Sequence, residues 1–587
     1  MFIERASKRP AILCALLLAL CTLATRPFVE MGQCDDFSYV RSAKALAETG
    51  HIVYYGWASA MLGWQLALGA LFIKLFGFSF AAVNASVLLV SVATAFFLQR
   101  TFVHLGLTEA NAAFATLTLV LSPLFIPLSF SFMSDIPGLF AIVLCLYMCL
   151  RAIESTVPSH TTRWLVAASL ANALLGTARQ TGWLGVIVIV PSACWIVRRR
   201  PLPFALLAGT WILCLGSIYG ALHWFSGQMY STIETSNLIR TDGGHLFEAA
   251  QLAARAPLEA AFFLVPILLA FAFPFSRQHR RLLYFAVGAC LAFCIYYLLR
   301  PQSYWVSLLL APASSGGGNY VTEQGILNLP EIGIRPLVLG PVVRTIITVV
   351  CYFSAFAFCV LVAKRRNLPA PRPDVPVSTL SWPDLLTLLV PVTLTYWAFL
   401  AIRVFSGTIF DRYLLPLFVV LAVVAMRFYQ DTISPRLPRI CFAALFLLAA
   451  YGVAGTHDMF SEERARLTAI DQLLAAGLPR TAFYGGFPYD GWTQIEAQGY
   501  VDVGDIKTPT GINRLSRARD KFKPCGYWHA RFYPAIRPQY VISYDNFSCG
   551  DPQDTFAPVH YRMWLPPFSG TLYSRSVSPQ LLSQSSK

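Results

Sequence analysis

Two adjacent carboxylates, Asp35 and Asp36, follow the first apolar stretch of the chain. Removing a carboxylate from water is costly, so acids at the edge of an apolar segment are expected to be paired, coordinated or functional. A carboxylate beside a bound hydroxyl can act as a general base. Asp35 and Asp36 are therefore candidate catalytic residues. The structural alternative is that Asp36 caps a short helix predicted over 37–48.

A third acid, Asp135, follows Ser134 at the start of another apolar stretch. Oxygen ligands of this kind suit hard divalent cations. Asp135 is therefore a candidate ligand, together with Asp36, for a divalent metal such as Mg²⁺, Mn²⁺ or Zn²⁺. The alternative is again a helix N-cap, with Pro137 in the first turn.

Arginines are predicted near the same surface, and they could hold a phosphate because the planar guanidinium matches phosphate oxygens. The candidates for a donor phosphate are Arg412 and Arg179, followed by Arg300 and Arg403. Arg412 opens the segment Arg412-Tyr413-Leu414-Leu415-Pro416, which makes Tyr413 a further candidate. The alternative for Arg412 is a cation at the membrane interface, paired with Asp411.

His51 is a further candidate, although the histidines on this side show no i,i+4 pairing typical of a metal motif. Aromatic residues near the same surface, such as Trp57 and Trp224, are expected to belong to an interfacial aromatic belt.

The elements that must position these residues are membrane helices. The chain of 587 residues is 56% hydrophobic and 13% charged, against about a quarter charged in soluble domains. We expect a polytopic α-helical membrane protein. Its net charge of +15 is explained by basic loops on one side of the bilayer rather than by nucleic-acid binding.

Apolar stretches long enough to span predict about 13 transmembrane helices. They lie at about 11–29, 81–103, 110–128, 136–153, 163–178, 181–197, 203–222, 257–275, 282–299, 341–363, 383–402, 412–430 and 437–455.

The apolar segment 58–77 is ambiguous. If it also spanned, every later basic cluster would lie on the opposite side from Arg5, Lys8 and Arg9, against the positive-inside rule. We therefore predict that 58–77, like 37–50, is an interfacial helix on the outer side.

The predicted domains follow from this topology. Residues 1–455 form the transmembrane domain, whose 30–80 loop is extracytoplasmic. Residues 456–573 form a small extracytoplasmic α/β domain, with a helix over 462–476 and strands over 481–484 and 539–543. Residues 574–587 form a Ser-rich disordered tail. The N-terminus is cytoplasmic, so all the candidate acids face outward, where a transferase would need a donor already carried across the membrane.

This pattern resembles the GT-C glycosyltransferases of the dolichyl-phosphate-mannose–protein mannosyltransferase type, a group that includes bacterial transferases moving aminoarabinose onto lipid A. The resemblance rests on the acidic pair after the first span, Ser134-Asp135 at the fourth, and Arg412-Tyr413 at a late one. An interfacial helix ending in Leu75-Phe76-Gly77 also matches.

The resemblance implies inverting transfer of a sugar from a polyprenyl-phosphate donor to an acceptor hydroxyl on a lipid, glycan or protein. Asp35 would be the base, Asp36 its acidic neighbour, and Arg412 the ligand of the donor phosphate. Asp135 would bind a metal or position the acceptor. The implied location is a cell membrane, taken here as a bacterial inner membrane. The alternative is a non-catalytic polysaccharide or lipid export or assembly protein, which would carry ionisable residues deep inside several spans.

Overall fold

The computed structural model describes residues 8–232, 255–299, 309–312, 319–327, 333, 335–365, 380–404, 410–501, 506–513, 529, 532–544 and 556–577. Within these ranges the protein is a helical membrane bundle with a small sheet attached to its C-terminal part. By length and composition, eight of the described helices could cross a membrane, or nine if a bent pair is one span.

The first ten helices are α1 Arg9–Ala24, α2 Asp36–Thr49, α3 Gly63–Phe76, α4 Phe80–His104, α5 Glu109–Val120, α6 Phe125–Leu128, α7 Asp135–Glu154, α8 Pro158–Leu175, α9 Val190–Ile196 and α10 Phe204–Gly227. They are followed by α11 Arg255–Phe263 and α12 Val265–Gln278. The remaining helices are α13 Arg280–Leu299, α14 Pro341–Ala363, α15 Trp382–Val404, α16 Leu415–Thr432, α17 Arg439–Ala475 and α18 Phe487–Gln498.

Three predicted spans are interrupted. The span predicted at 110–128 divides into α5 and the single turn α6. The span at 181–197 consists of a 3-10 turn, a π-helical turn and α9. The span at 257–275 bends by 76° between α11 and α12, next to Pro266, whose ring nitrogen cannot donate the helical hydrogen bond. The number of complete crossings therefore depends on how these breaks sit in the bilayer.

Helices α2 and α3 are too short to span. Each has 14 residues, which gives about 21 Å at the rise of an α-helix, against about 30 Å for the hydrocarbon core. Their length agrees with the predicted interfacial position.

Between α1 and α2, Glu30 accepts a hydrogen bond of 2.9 Å from the amide of Phe80. This contact fixes the start of α4 against the segment that carries Asp35.

Helix α16 is central and α13 is peripheral. An 18-residue apolar stretch within Asp411–Thr432 is 78% buried inside the protein, whereas the corresponding stretch of Arg280–Tyr297 is 6% buried. A buried span packs against other helices, and an exposed one faces lipid. The residues that precede α16, including Arg412, are therefore placed inside the bundle.

Helix α17 joins two predicted elements into one. The span predicted at 437–455 and the helix predicted over 462–476 form a single helix of 37 residues, about 55 Å long. Beyond Gly455, this helix contains no proline or glycine that would separate the predicted span from the predicted helix after it. The domain boundary predicted at 455 thus falls within a continuous helix that extends beyond the thickness of a bilayer.

The described strands form three small sheets. Strands β1 Val321–Thr322 and β2 Gly325–Ile326 pair antiparallel, as do β4 Ile506–Thr508 and β5 Gly511–Asn513. The largest sheet has the order β3-β6-β8-β7 and is formed by β3 Phe483–Tyr484, β6 Tyr540–Ser543, β7 Val559–Arg562 and β8 Ser569–Ser576.

Both strands predicted in the C-terminal region lie in this sheet, where β3 and β6 run parallel. Strand β8 continues through Ser576 and pairs along β6, so the tail predicted to start at 574 begins with ordered strand residues. The rest of the predicted tail lies outside the described residues.

Candidate active site

The site is built from helix ends that meet at one face of the bundle. Asp35 immediately precedes α2, and Asp135 is the first residue of α7. Arg412 lies in the 3-10 turn Asp411–Leu414 that leads into α16. Arg179 lies between two 3-10 turns that follow α8. The backbone therefore presents two acids and two arginines from four separate parts of the sequence.

These four side chains form a continuous chain of ion pairs. Arg412 Nη2 lies 3.2 Å from Asp35 Oδ2, and Arg412 Nε lies 3.8 Å from Asp135 Oδ2. Arg179 Nη1 lies 2.7 Å from Asp135 Oδ1. Asp135 and Arg412 are buried, whereas the side chain of Asp35 is 19% exposed. Asp35 is thus the acid of this chain that a substrate can reach.

Three guanidinium groups surround the ring of Tyr413. The guanidinium carbons of Arg403, Arg179 and Arg412 lie 4.8, 5.0 and 5.5 Å from the ring centroid. Arg403 also donates a 3.2 Å hydrogen bond to the Tyr413 hydroxyl. The negative face of an aromatic ring attracts cations and so helps to hold these like charges together. The result is a cationic cluster next to Asp35.

Asp36 differs from Asp35 in its contacts. Its Oδ1 accepts from the amides of Gln33 and Cys34 at 2.8 and 3.5 Å, and its Oδ2 accepts from Ser131 Oγ and the Phe132 amide at 3.0 and 3.2 Å. Burial raises the pKa of Asp36, and these hydrogen bonds oppose the shift. Asp36 therefore ties the start of α2 to the loop before α7, and its catalytic role stays a prediction.

Replacing Asp36 with Asn is expected to lower the free energy of unfolding by about 2–4 kcal/mol, because the amide group would turn an N–H toward other donors. Thermal unfolding in detergent measures this change. The matched control is Asp471→Asn, at an exposed position of α17. An unchanged unfolding midpoint combined with lost activity would instead return Asp36 to the catalytic residues.

The residues predicted to bind a metal do not fit one. Asp135 directs one oxygen at Arg179 and the other at Arg412, and a cation at the same oxygens would meet two guanidinium groups. Both oxygens of Asp36 already accept hydrogen bonds. In the part of the chain that the structure describes, no three His, Cys, Asp or Glu side chains are grouped as a metal site.

The helix-capping alternatives for Asp36 and Asp135 and the membrane-interface alternative for Arg412 are wrong. Neither α2 nor α7 has a side-chain hydrogen bond from its N-cap residue, and the carboxylates of Asp36 and Asp135 are used in the tertiary contacts given above. Asp411 accepts from the backbone amide of Arg412, not from its guanidinium. The guanidinium is only 3% exposed, so Arg412 is not a cation reaching out to the interface.

Of the remaining predicted site residues, His51 lies away from this cluster. His51 is exposed and follows Gly50 at the far end of α2, about 20 Å along the helix from Asp35. Arg300 lies outside the described residues.

An apolar pocket adjoins Tyr396, which contacts Tyr413 of the cationic cluster. Helices α7, α15 and α16 contribute apolar residues to its lining, among them Leu146, Val392 and Val420. Tyr396 also lines it, and the Tyr396 hydroxyl donates a 2.7 Å hydrogen bond to the Tyr413 carbonyl. The site therefore combines a reachable acid, clustered cations and an adjoining apolar space.

Sequence reasoning missed Trp57 and Cys34. The Trp57 indole N–H donates to Asp35 Oδ1 at 2.5 Å, so this residue faces the site instead of belonging to the expected aromatic belt. Cys34 Sγ lies 3.8 Å from Arg412 Nη1. Adjacency to Asp35 is the only sequence signal for Cys34, and nothing in the sequence distinguishes Trp57 from other interfacial tryptophans.

No family model matches this sequence, and no curated protein matches it. Several solved structures are similar to this chain in fold.

One is ArnT from Cupriavidus metallidurans bound to undecaprenyl phosphate, with 13% identity over 82% of each chain and a TM-score of 0.36. Another is the oligosaccharyltransferase AglB from Archaeoglobus fulgidus with an inhibitory peptide and a dolichol-phosphate, with 14% identity over 91% of this chain and 69% of that one, at a TM-score of 0.39. A structure of an oligosaccharyltransferase from the same organism with Zn and sulfate matches at 11% identity, over 90% of this chain and 67% of that one, with a TM-score of 0.35. These TM-scores describe a likeness of fold and do not indicate an activity. The activity of this chain is inferred from the side chains of the site.

Proposed function

We propose that this membrane protein is a glycosyltransferase that moves a sugar from a polyprenyl-phosphate donor to an acceptor hydroxyl, with inversion at the anomeric carbon. The observation that carries the proposal is the contact between the partly exposed carboxylate of Asp35 and the buried guanidinium of Arg412. A carboxylate and a guanidinium this close together would provide a general base beside a site for a phosphate, which is what transfer of this kind requires.

The proposed reaction is a single displacement. Asp35 takes the proton of the acceptor hydroxyl as the acceptor oxygen attacks the anomeric carbon. The bond between that carbon and the phosphate oxygen breaks, and its electron pair stays on the leaving phosphate. Attack opposite the leaving group inverts the configuration. The products are the glycosylated acceptor and the polyprenyl phosphate, and the proton on Asp35 then passes to solvent.

The arginines account for the electrostatics of this step. The phosphate gains about one negative charge when the bond to the sugar breaks, so cations favour the transition state over the bound donor. Arg412 and Arg179 are paired with Asp135, which balances part of their charge before the donor binds. Nε of Arg412 and Oδ2 of Asp135 have no hydrogen-bond partner among the described residues, so the Arg412 guanidinium retains a donor for phosphate.

The apolar pocket supports a lipid-linked donor. It adjoins Tyr413 through Tyr396, so a polyprenyl chain could lie between α7 and α16 while its phosphate reached the arginines. A water-soluble nucleotide sugar has no apolar chain that would occupy this pocket. The site would open on the extracytoplasmic side, where donors must already be attached to a carrier.

The proposed orientation makes a labelling prediction. A cysteine replacing exposed His51 is expected to react with a membrane-impermeant maleimide in intact spheroplasts, because it lies on the same side as α2. The matched control is Arg199→Cys, also exposed and predicted to be cytoplasmic, which should react only after permeabilisation. The opposite labelling pattern would place the acids in the cytosol and remove the proposal.

The function is tested by mass spectrometry of envelope glycans and lipids from cells with and without this protein. The expected result is a single missing sugar, whose identity then supplies the donor for an assay with purified protein. The export alternative predicts movement of a lipid or glycan without a new covalent product. Flux in vesicles with no transferred sugar would therefore replace this proposal with that one.

A further inference from the structure

Asp35 is held at both of its oxygens. Oδ1 accepts the 2.5 Å hydrogen bond from the Trp57 indole, and Oδ2 faces Arg412 at 3.2 Å. The two donors come from widely separated segments of the chain and fix the plane of the carboxylate. A general base held in one orientation is aligned with its acceptor before the acceptor binds.

Trp57 itself is held in an uncommon backbone conformation. Its φ is +65°, directly after Gly56 at +84°, and a left-handed conformation at a bulky residue persists only where the surroundings impose it. Hydrogen bonds supply that constraint. The Gly56 amide donates to the Tyr230 carbonyl at 3.0 Å, and the Val501 amide donates to the Tyr55 carbonyl at 2.7 Å.

The ring of Trp57 packs against the C-terminal region. Its centroid lies 5.2 Å from that of Phe487 and 5.3 Å from that of Phe532, both of which are buried. His529 lies in the same aromatic group, 5.3 Å from Phe487. Burial lowers the pKa of His529 to about 3, so this histidine is neutral at physiological pH and adds no charge near Asp35.

The same region also contacts α2 directly. A Cβ placed on Gly491 would lie 2.4 Å from the ring of Phe37, which follows the acidic pair. Gly56 is equally confined, because a Cβ there would lie 2.4 Å from the Val501 carbonyl oxygen. The loop that carries Trp57 is therefore enclosed between α2 and the C-terminal region.

We propose that Trp57 is a positioning residue for Asp35, and that the C-terminal region completes the active site through it. The inference rests on the proposed function, since it assigns Trp57 to the orientation of the base in that reaction. The C-terminal region thereby has a role in positioning the base, in addition to any contact with the acceptor. The aromatic residues hold the indole, and the indole holds the carboxylate.

The test is Trp57→Phe, which removes the indole N–H and keeps an aromatic ring in the packing. We expect kcat to fall by about 10- to 100-fold, with KM for the polyprenyl-phosphate donor little changed. The matched control is Trp211→Phe, which removes an indole hydrogen bond to the Val186 carbonyl in another part of the bundle and should leave both kcat and KM unchanged.

A second variant separates positioning from packing. Phe487→Leu keeps the indole N–H but loosens its support, so a smaller fall in kcat is expected, again with little change in KM. Unchanged kcat in Trp57→Phe, or a fall in kcat accompanied by a higher KM and a lower unfolding midpoint, would overturn the positioning role while the proposed function stood. Wild-type protein that transfers no sugar would overturn both.

Discussion

Replacing Asp35 with Asn is expected to reduce sugar transfer by about 10²- to 10⁴-fold, the contribution typical of a general base. Asn has nearly the shape of Asp, and its side-chain oxygen can still accept the hydrogen bond from Trp57. It cannot take a proton from the acceptor. Because Arg412 keeps its second partner, Asp135, the protein should remain folded. Single-turnover transfer with purified protein measures the loss.

The adjacent acids provide a sharp contrast for this experiment. Asp36→Asn should lower stability, whereas Asp35→Asn should lower the rate and leave the unfolding midpoint unchanged. Asp471→Asn, at an exposed position, serves as the matched control for both. Full transfer activity in Asp35→Asn would remove Asp35 as the base.

Replacing Arg412 with Gln is expected to lower kcat/KM by about 10²- to 10³-fold, the effect of removing one preorganised donor to a developing negative charge. The larger part should appear in kcat, because the phosphate is more negative in the transition state than in the donor. Arg412→Lys keeps the charge and loses the planar fork, so it should recover only part of the rate. Measurements of kcat and KM against the donor concentration separate these effects.

The control for Arg412 is Arg480→Gln. Arg480 pairs with Glu496 in a half-exposed contact of the C-terminal region, where loss of an ion pair has little effect. An Arg412→Gln protein with unchanged kcat and a normal response to added polyprenyl phosphate would mean that the phosphate binds elsewhere.

The sequence alone predicted a helical membrane protein, and it singled out Asp35, Asp135, Arg179 and Arg412, which the structure brings together. Helical spans are readable because the bilayer demands long apolar segments, and the charge of the loops argued that 58–77 does not span. The convergence of Asp35, Asp135 and Arg412 followed from placing each at the same ends of its helix. The structure contains that convergence, and it also contains strands at both predicted C-terminal positions.

Only the tertiary structure separated the two adjacent acids. Asp35 and Asp36 have the same side chain. At the start of α2, however, Asp35 faces Arg412, whereas Asp36 accepts hydrogen bonds from backbone amides. Asp135 was predicted as a metal ligand from its residue type, and only the structure placed guanidinium groups near both of its oxygens. Roles of this kind depend on which partner fills the space around a side chain.

The partners of Asp35 are the clearest case. Arg412 is separated from Asp35 by 377 positions in the sequence, and Trp57 reaches it from a left-handed backbone stretch at 56–57, where Gly56 and the preceding Tyr55 are hydrogen-bonded to Tyr230 and Val501. Periodicity and composition report what lies within a few turns of one helix. Contacts between distant segments depend on how whole helices pack, and a single sequence carries no local signal for them.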